Sequence, residues 1–486
     1  MKESQDGYKT ALKGASFFGG MQIMVLLITM LKYKFIAILL GPLGFGVLSI
    51  YNSALTFVST ITGLGLNNSA IRDIACTNVN SDKKQLIQIV TAISRWILCT
   101  SILGGIVTVC LSSWLSQLMF NNHDYTLGFC ILSIGLFFAG MYKWYLAILQ
   151  GMQQRLKLAK ANIYGALGGL IFSIPILYFF RERGIVVSIV VSNFILLLIS
   201  YTLIRKDFSN VIQQSYKESF LLGLNTVKLG IMLSLSTISI SLLEIVIKAF
   251  IANLDTINTV GLFQAGWSIN ITYLGVVFTA IATDYYPRLS ECIARKNNYV
   301  AMVNQQAEIA LLCLAPLISI MTLFLPFFVK ILYSDSFIDI VGMTRLLLIG
   351  SIIKAGSWAI SYLYLSMNDG RIFLFNELGI KCLSVPLYLV LFYYYGLIGI
   401  GIAYIIIYIV YFFLVMLVAY NKYQFKYTSN FWIVFGGVFL GIIVLSLMCS
   451  VGFIPAGVSM IYCAVFLIID IYLINKRVNI LSFFKK

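Results

Sequence analysis

Basic residues inside apolar segments are the side chains of this sequence that are best placed to do chemistry. A cation in hydrocarbon costs roughly 2.5 to 3.5 kcal/mol on insertion scales, so it should meet water, a counter-ion or an anionic ligand. A lysine near the end of a span can instead extend its ammonium group to the membrane surface. Nine of the 34 lysines and arginines lie in or beside apolar runs: Lys32, Lys34, Arg95, Lys143, Lys228, Lys248, Arg345, Lys354 and Lys381.

Two of these lysines occupy nearly equivalent places in the two halves of the chain. Lys34 and Lys248 are 214 positions apart, in the outer parts of the first and seventh predicted helices. Lys32 is two residues from Lys34 and therefore points to a different helix face. Three more basic residues lie deeper in their spans. The candidate substrate-binding cations are Lys34, Lys248, Lys354, Arg95, Lys143 and Lys32, with extension to the interface as the alternative for Lys34 and Lys248.

A carboxylate stands beside one of the candidate lysines. Glu244 precedes Lys248 by four residues, one helical turn away on the same face. The two charges either neutralise each other or form a coupling site, in which a proton or sodium ion taken up by the carboxylate releases the lysine to bind substrate. Glu308 and Asp284 are weaker candidates for the same role. The proton or sodium ion is the only cofactor that we expect.

Two arginines end the second and eighth predicted helices at equivalent places, Arg72 and Arg288. Anchoring at a cytoplasmic surface explains either arginine alone. Their symmetry also makes them candidates for an inner gate that captures phosphate, because guanidinium binds phosphate oxygens in a fork.

Signatures of an enzyme or a metal site are missing from the sequence. His123 is the single histidine, the nine cysteines are scattered singly, and neither a GxSxG nor a Walker A motif is present. Cysteines in such a pattern are typical of small apolar packing residues. We therefore expect neither catalysis nor a bound metal.

Composition places these residues in a membrane. Hydrophobic residues make up 60% of the chain and charged ones 11%, whereas charged residues approach a quarter in soluble proteins. The long unbroken apolar runs indicate helices, since barrel strands would alternate. About fourteen helices are predicted, near 14–40, 45–71, 86–111, 127–150, 158–180, 184–204, 226–252, 260–286, 300–329, 341–367, 372–393, 396–420, 431–450 and 454–474. Residues 114–120 are predicted to lie at the interface, and no cleavable signal peptide is evident.

The basic residues between the spans indicate the orientation. Twenty-two of them fall on one side of the membrane, and three, Arg181, Arg183 and Lys330, on the other. Because lysine and arginine accumulate in cytoplasmic loops, both termini are predicted to be cytoplasmic. The net charge of +16 thus follows the membrane topology and gives no reason to expect nucleic acid.

An internal repeat divides the chain. The stretches 41–75 and 260–294 have a similar order of residue types at an offset of about 215 positions, which aligns Gly46 with Gly261. Identical residues farther along the chain suggest that the offset drifts to 216, 217 and 211. An even number of helices in each half keeps the orientation of the repeat. We predict an N-lobe at 1–205, a cytoplasmic linker at 206–225, a C-lobe at 226–420, and two additional helices with a cytoplasmic tail at 421–486. The first stretch begins with a predicted glycine-proline turn at Gly41 and Pro42. Its polar residues should face helices or a cavity: Asn52, Ser53, Thr56, Ser59, Thr60 and Thr62.

Several of these segments resemble those of a known family. The opening segment, GPLGFG followed by Tyr51 and Asn52, GLGLNNSAIRDIA and VGLFQAGWS are similar to the O-antigen/polysaccharide flippases of the Wzx type. These belong to the multidrug/oligosaccharidyl-lipid/polysaccharide exporter superfamily, and the resemblance covers most of residues 8–420. It implies two pseudo-symmetric six-helix lobes in a V shape, as in the multidrug and toxin extruders, and alternating access. Lipid II flippases also carry two extra helices and use basic residues near the positions of Lys32 and Lys34.

The resemblance implies undecaprenyl-diphosphate-linked oligosaccharide as the substrate, in the inner membrane of a bacterium. Membrane lipids are the other expected partner, together with polysaccharide polymerase or chain-length machinery. A cation-coupled multidrug antiporter of the same fold is the alternative, although such a protein should carry acidic residues in its cavity. A membrane glycan polymerase or acyltransferase is a third hypothesis, and the sequence has neither the long outer loop nor the membrane histidine typical of those enzymes.

Overall fold

The computed structural model describes residues 2–79, 83–205, 215–450 and 455–478, and within these ranges the secondary structure is helical, with no strand. The chain divides into two compact units, Met1–Gly261 and Leu262–Lys486.

Unit 1 contains eight helices and the start of a ninth. They are α1 (Lys2–Thr62), α2 (Leu66–Val79), α3 (Lys83–Cys110), α4 (Ser112–Phe120), α5 (Thr126–Gly151), α6 (Arg155–Phe180), α7 (Gly184–Ile204), α8 (Tyr216–Leu254) and α9 (Ile257–Ser268), and the unit ends at Gly261. The interface segment predicted at 114–120 lies in the short helix α4.

Helix α1 is two helices joined at a glycine. Gly41 has a φ of 63° and a ψ of −166°, outside the helical region, and is followed by Pro42. Glycine adopts a positive φ without the clash that a Cβ would cause, and proline has no N–H to continue the hydrogen-bond ladder. The glycine-proline turn that the sequence predicted at this point therefore separates two apolar arms.

Unit 2 is built from the remaining helices. They are α10 (Gly275–Ala294), α11 (Tyr299–Leu323), α12 (Leu325–Leu332), α13 (Ile340–Ser366), α14 (Gly370–Tyr423), α15 (Ser429–Ser450) and α16 (Ala456–Val478). Helix α14 is broken at Gly396, whose φ is 57°. Helix α13 packs along α14, and α15 and α16 pack on α11.

The helices are long enough for a polytopic membrane protein. Ten apolar segments among the described residues could cross a bilayer, and three of them, 20–62, 155–204 and 370–423, are 43, 50 and 54 residues long. About 20 residues span a bilayer, so each of the three is long enough to cross twice, and each is interrupted near its middle. With the shorter apolar helix Gly457–Leu473, this arrangement confirms the predicted all-α fold of about fourteen transmembrane helices.

The internal repeat is visible in the backbone. Four pairs of backbone features lie 215 positions apart. Helices end at Gly151 and Ser366, and the next helices begin at Arg155 and Gly370. Positive φ angles occur at Gln153 and Asn368, and again at Arg181 and Gly396. The offset therefore stays constant from residue 151 to residue 181. The drift inferred from matching letters was wrong in this region, because chance identities such as Pro175 and Pro386 do not mark equivalent backbone positions.

Part of the linker predicted at 206–225 is helical in the structure. Helix α8 begins at Tyr216, so residues 216–225 are helical, and residues 206–214 lie outside the described residues. The division into lobes at 1–205 and 226–420, with an appended 421–486, stays a prediction.

Candidate functional site

A polar cavity of about 350 Å³ opens inside unit 1, and we call it the Lys143 cavity. Lys143 of α5 is half-buried and is the one charged residue among the described residues of its lining. Hydroxyl and amide side chains supply the rest of the polar surface: Ser59, Thr60, Thr62, Asn67, Asn68, Thr100, Ser101, Gln150, Ser234 and Thr237. Such a lining can hydrogen-bond sugars and neutralise one negative charge.

The break between α1 and α2 shapes this cavity. Leu64 and Gly65 have φ angles of 49° and 62°, which ends α1 after Thr62 and starts α2 at Leu66. A Cβ on Gly65 would clash with the carbonyl of Gly230 in α8, so only glycine allows these two segments to approach so closely.

A second cavity, of about 440 Å³, lies between α1, α5, α6 and α7, and we call it the Lys32 cavity. Lys32 Nζ donates a hydrogen bond of 3.0 Å to Ser192 Oγ. The other polar residues of its lining are neutral: Thr29, Tyr33, Asn52, Thr56, Tyr142, Asn162 and Asn193. Small residues of α6, Gly165, Ala166 and Gly169, belong to the lining, and a Cβ on Gly169 would lie 3.9 Å from Lys32 Nζ.

Lys248 is enclosed by protein. It is 2% exposed, and its Nζ donates a 2.6 Å hydrogen bond to Ser53 Oγ of α1. Glu244 Oε2 lies 3.9 Å away, one turn earlier on α8. A buried ammonium with a hydroxyl acceptor and a nearby carboxylate is a partly compensated ion pair, whose charge balance changes if the carboxylate takes up a proton.

The other two basic candidates of unit 1 lie elsewhere. Arg95 Nη1 donates to Ser219 Oγ at 2.7 Å and thereby ties α3 to α8, next to a bond from Trp96 Nε1 to the Phe220 carbonyl. Lys34 is half-buried on α1 and belongs to the lining of neither cavity. The structure thus brings Lys143 and Lys32 to cavities and places Arg95 in a helix contact.

In unit 2, Lys354 lies among aromatic rings. Its Nζ is 5.1 Å from the centre of the Phe278 ring and 5.7 Å from that of Tyr408. Both distances suit cation–π attraction, which stabilises a charge away from bulk water.

The remaining candidates differ in exposure. Arg72 is exposed on α2, and Arg288 forms a 2.7 Å ion pair with Asp284 in which both side chains are more than half exposed. Exposed pairs of this kind contribute little to stability. Glu308 is 8% exposed on α11.

Sequence reasoning identified the polar stretch of α1 but missed its partners. Ser59, Thr60 and Thr62 line the Lys143 cavity, Asn52 and Thr56 line the Lys32 cavity, and Ser53 holds Lys248. The missed residues are the amides contributed by other helices: Asn67, Asn68, Gln150, Asn162 and Asn193. Amide side chains inside an apolar run were the available signal, since hydrocarbon cannot satisfy them.

A buried carboxylate was also missed. Asp470 of α16 is 2% exposed, and neither of its carboxylate oxygens has a hydrogen-bond partner among the described residues. Within the same ranges no group of three or more His, Cys, Asp or Glu could hold a metal ion.

Comparisons with known proteins agree with these observations. The model of a family described as polysaccharide biosynthesis protein matches residues 11–293. The lipid III flippases of Escherichia coli (strain K12) and Shigella flexneri are each 23% identical over 387 residues, which cover 78% of this chain and 91% of those proteins.

Solved structures show the same fold. The inward closed conformation of the lipid II flippase MurJ matches with a TM-score of 0.71 at 11% identity, covering 96% of this chain and 98% of that one. An inward-facing multidrug resistance MATE family transporter of the MOP superfamily matches with a TM-score of 0.65 at 14% identity, covering 83% and 96%. The resemblance drawn from the sequence is confirmed for fold and family: because the family model covers more than half of its residues, the chain belongs to the polysaccharide biosynthesis protein family.

Proposed function

We propose that this protein is a flippase that moves undecaprenyl-diphosphate-linked oligosaccharide from the cytoplasmic to the outer leaflet of the bacterial inner membrane by alternating access. The glycan is an O-antigen or another surface polysaccharide repeat unit. The observation that carries the proposal is the lining of the Lys143 cavity, where the described residues are a single lysine among hydroxyl, amide and apolar groups, with no carboxylate. The flippase relatives support the same reading.

The chemistry of this lining fits the head of such a lipid. The polyprenyl tail can remain in hydrocarbon, so the protein has to shelter only the diphosphate and the sugars. Lys143 supplies a point charge for a phosphate oxygen, and charge-assisted hydrogen bonds of this type are about twice as strong as neutral ones. Thr60, Asn67 and Gln150 supply donors and acceptors for sugar hydroxyls. A drug cation would instead require an acidic lining.

The protein must bind the diphosphate with only moderate affinity, because the substrate has to dissociate at the outer face. We assign the coupling step to Glu244 and Lys248, which lie 3.9 Å apart. When a proton or sodium ion neutralises Glu244, the Lys248 ammonium loses its carboxylate partner and competes for the substrate anion. Lys34 and Lys354 act as further substrate cations, Arg72 and Arg288 as the phosphate-capturing gate, and Glu308 and Asp284 as secondary coupling sites in this scheme. Both termini are cytoplasmic.

The experiment that tests the function follows lipid-linked intermediates in cells depleted of the protein. We expect a diphosphate-linked oligosaccharide to accumulate on the cytoplasmic face, and complementation by wild-type protein to remove it. Proteoliposomes that hold the purified protein and the accumulated lipid then measure flipping directly, with Lys143→Gln as the test variant and Lys143→Arg as the charge-preserving control. Export of organic cations without accumulation of any lipid-linked glycan would favour the multidrug antiporter instead.

A further inference from the structure

The Lys32 cavity is separate from the Lys143 cavity. The two share no lining residue, and only the Lys32 cavity is lined by α6 and α7. Substrate binding by Lys143 therefore gives no role to the Lys32 ammonium group.

In the part of the chain that the structure describes, the hydrogen bonding of Lys32 leads to neutral groups. Its Nζ donates to Ser192 Oγ, which in turn donates to the Ser188 carbonyl at 2.7 Å and lies 3.1 Å from Ser173 Oγ. No aspartate or glutamate is among the residues that line the cavity. Lys248, by contrast, has Glu244 at 3.9 Å. The positive charge in the Lys32 cavity is thus not balanced by an acidic residue of its lining.

Neutral side chains of the same lining carry further donors. Asn162 Nδ2 donates one proton to the Leu158 carbonyl at 2.9 Å, and Asn193 Nδ2 donates one to the Gly135 carbonyl at 3.2 Å. A side-chain amide carries two donor protons, so each has a second donor besides this bond. Tyr142 adds a hydroxyl. A lone cation with neutral donors is the environment that stabilises an anion in a low-dielectric site.

We propose that the Lys32 cavity binds a small inorganic anion of the halide type, such as chloride. Lys32 supplies the charge, and Asn162, Asn193 and Tyr142 supply hydrogen bonds. The volume of about 440 Å³ holds the anion together with several waters, since each water takes about 30 Å³ in the liquid. The inference does not rest on the proposed substrate, because it requires only this cavity.

The test uses the purified full-length protein in detergent, with chloride as the probe and gluconate at equal ionic strength as the reference. A ligand that binds only the folded state raises stability with the logarithm of its concentration above Kd. We expect the thermal midpoint to rise with the logarithm of the chloride concentration above Kd, the rise to vanish in Lys32→Gln, and Lys143→Gln to keep it as the matched cavity-lysine control. Bromide should give an anomalous scattering peak next to residue 32 in crystals of the wild type.

Two further measurements keep the proposal falsifiable. If Lys32→Gln does not fold, Asn193→Leu, which removes one proposed donor, should raise several-fold the chloride concentration at which the thermal midpoint begins to increase. Equal midpoints in chloride and gluconate, or a chloride response that survives in Lys32→Gln, would overturn the proposal. Displacement of bromide by undecaprenyl diphosphate would overturn it as well, because the site would then belong to the lipid diphosphate.

Discussion

Gly46 and Gly261, which the internal repeat aligns with each other, pack directly together. A Cβ on Gly46 would overlap the carbonyl oxygen of Ile257, and a Cβ on Gly261 would overlap that of Pro42. Both residues are helical, so their need for glycine comes from the approach of two backbones and not from a positive φ. Small residues allow helices to pack closely in a membrane, where lipid removes the hydrophobic drive for association.

We expect Gly46→Ala to destabilise the protein, because the added methyl group must push α9 away from α1. Overpacking typically costs about 1–3 kcal/mol. Gly437→Ala in α15 is the matched control, since a Cβ there meets nothing within 4 Å and alanine favours a helix. Thermal unfolding in detergent measures the difference, and equal midpoints for the two variants would contradict the contact.

A second prediction concerns the breaks at Arg181 and Gly396. Their φ and ψ angles are 51° and −133° at Arg181 and 57° and −139° at Gly396, in a region that is nearly restricted to glycine. Gly396→Ala should therefore cost about 1–3 kcal/mol, although its Cβ would meet no neighbour within 4 Å.

At residue 181 the opposite substitution, from a residue with a Cβ to glycine, tests the same backbone strain. Arg181→Ala and Arg181→Gly both remove the hydrogen bond from Nη1 to the Leu39 carbonyl, so the comparison between them isolates the backbone. The glycine variant should be the more stable by about 1–2 kcal/mol. An alanine variant of equal or greater stability would show that the break is not strained.

A third prediction tests the Lys143 cavity. Lys143→Gln should reduce flipping of the lipid-linked glycan at least tenfold in proteoliposomes, while Lys143→Arg should retain part of the activity, because only the arginine keeps the charge. Lys426→Gln is a suitable control, since this residue lies over the Tyr420 ring outside the cavity. Full activity of Lys143→Gln at wild-type protein levels would remove Lys143 from the substrate site.

A fourth prediction concerns Lys34 and Lys248, the two nearly equivalent lysines. Lys248→Ala leaves Glu244 without its basic neighbour and Ser53 without its donor, so flipping should be lost while insertion into the membrane persists. Lys34→Ala should do the same if Lys34 contacts substrate. Normal surface glycan in the double variant Lys34→Ala, Lys248→Ala would show that neither lysine is needed for transport.

A fifth prediction concerns pH. The pKa of Asp369 is held below its usual range, first by a hydrogen bond from Tyr423 and second by the Lys422 ammonium. Lys422 Nζ lies 2.9 Å from Asp369 Oδ1. A carboxyl group whose pKa is lower in the folded state stabilises that state at pH values above its unfolded pKa of about 3.9. This stabilisation is lost as the pH falls through the folded-state pKa. The wild type should therefore lose thermal stability between pH 5 and pH 3 relative to Asp369→Asn.

Tyr423→Phe provides the control for this titration. It removes the largest cause of the shift and brings the folded-state pKa closer to the unfolded one, so the loss of stability on acidification should be smaller than in the wild type. Identical pH profiles for the wild type and Asp369→Asn would show that Asp369 contributes nothing through its charge.

The sequence by itself determined the membrane fold and much of the symmetry. Hydropathy and length predict helical spans because a bilayer requires about 20 apolar residues with their backbone hydrogen bonds satisfied internally. The alignment of Gly46 with Gly261 and the turn at Gly41 followed from local residue types. The polar face of 52–62 was also readable, since hydroxyls in an apolar run must face protein or water.

Only the tertiary structure decided which charges share a cavity. Periodicity assigns a side chain to a face of its own helix, but whether that face meets a carboxylate, an aromatic ring or open space depends on helices distant in the chain. Lys248 meets Ser53, Arg95 meets Ser219 and Lys32 meets Ser192 across 195, 124 and 160 positions. Their equal formal charges did not reveal these partners, and packing gives each residue a different electrostatic environment.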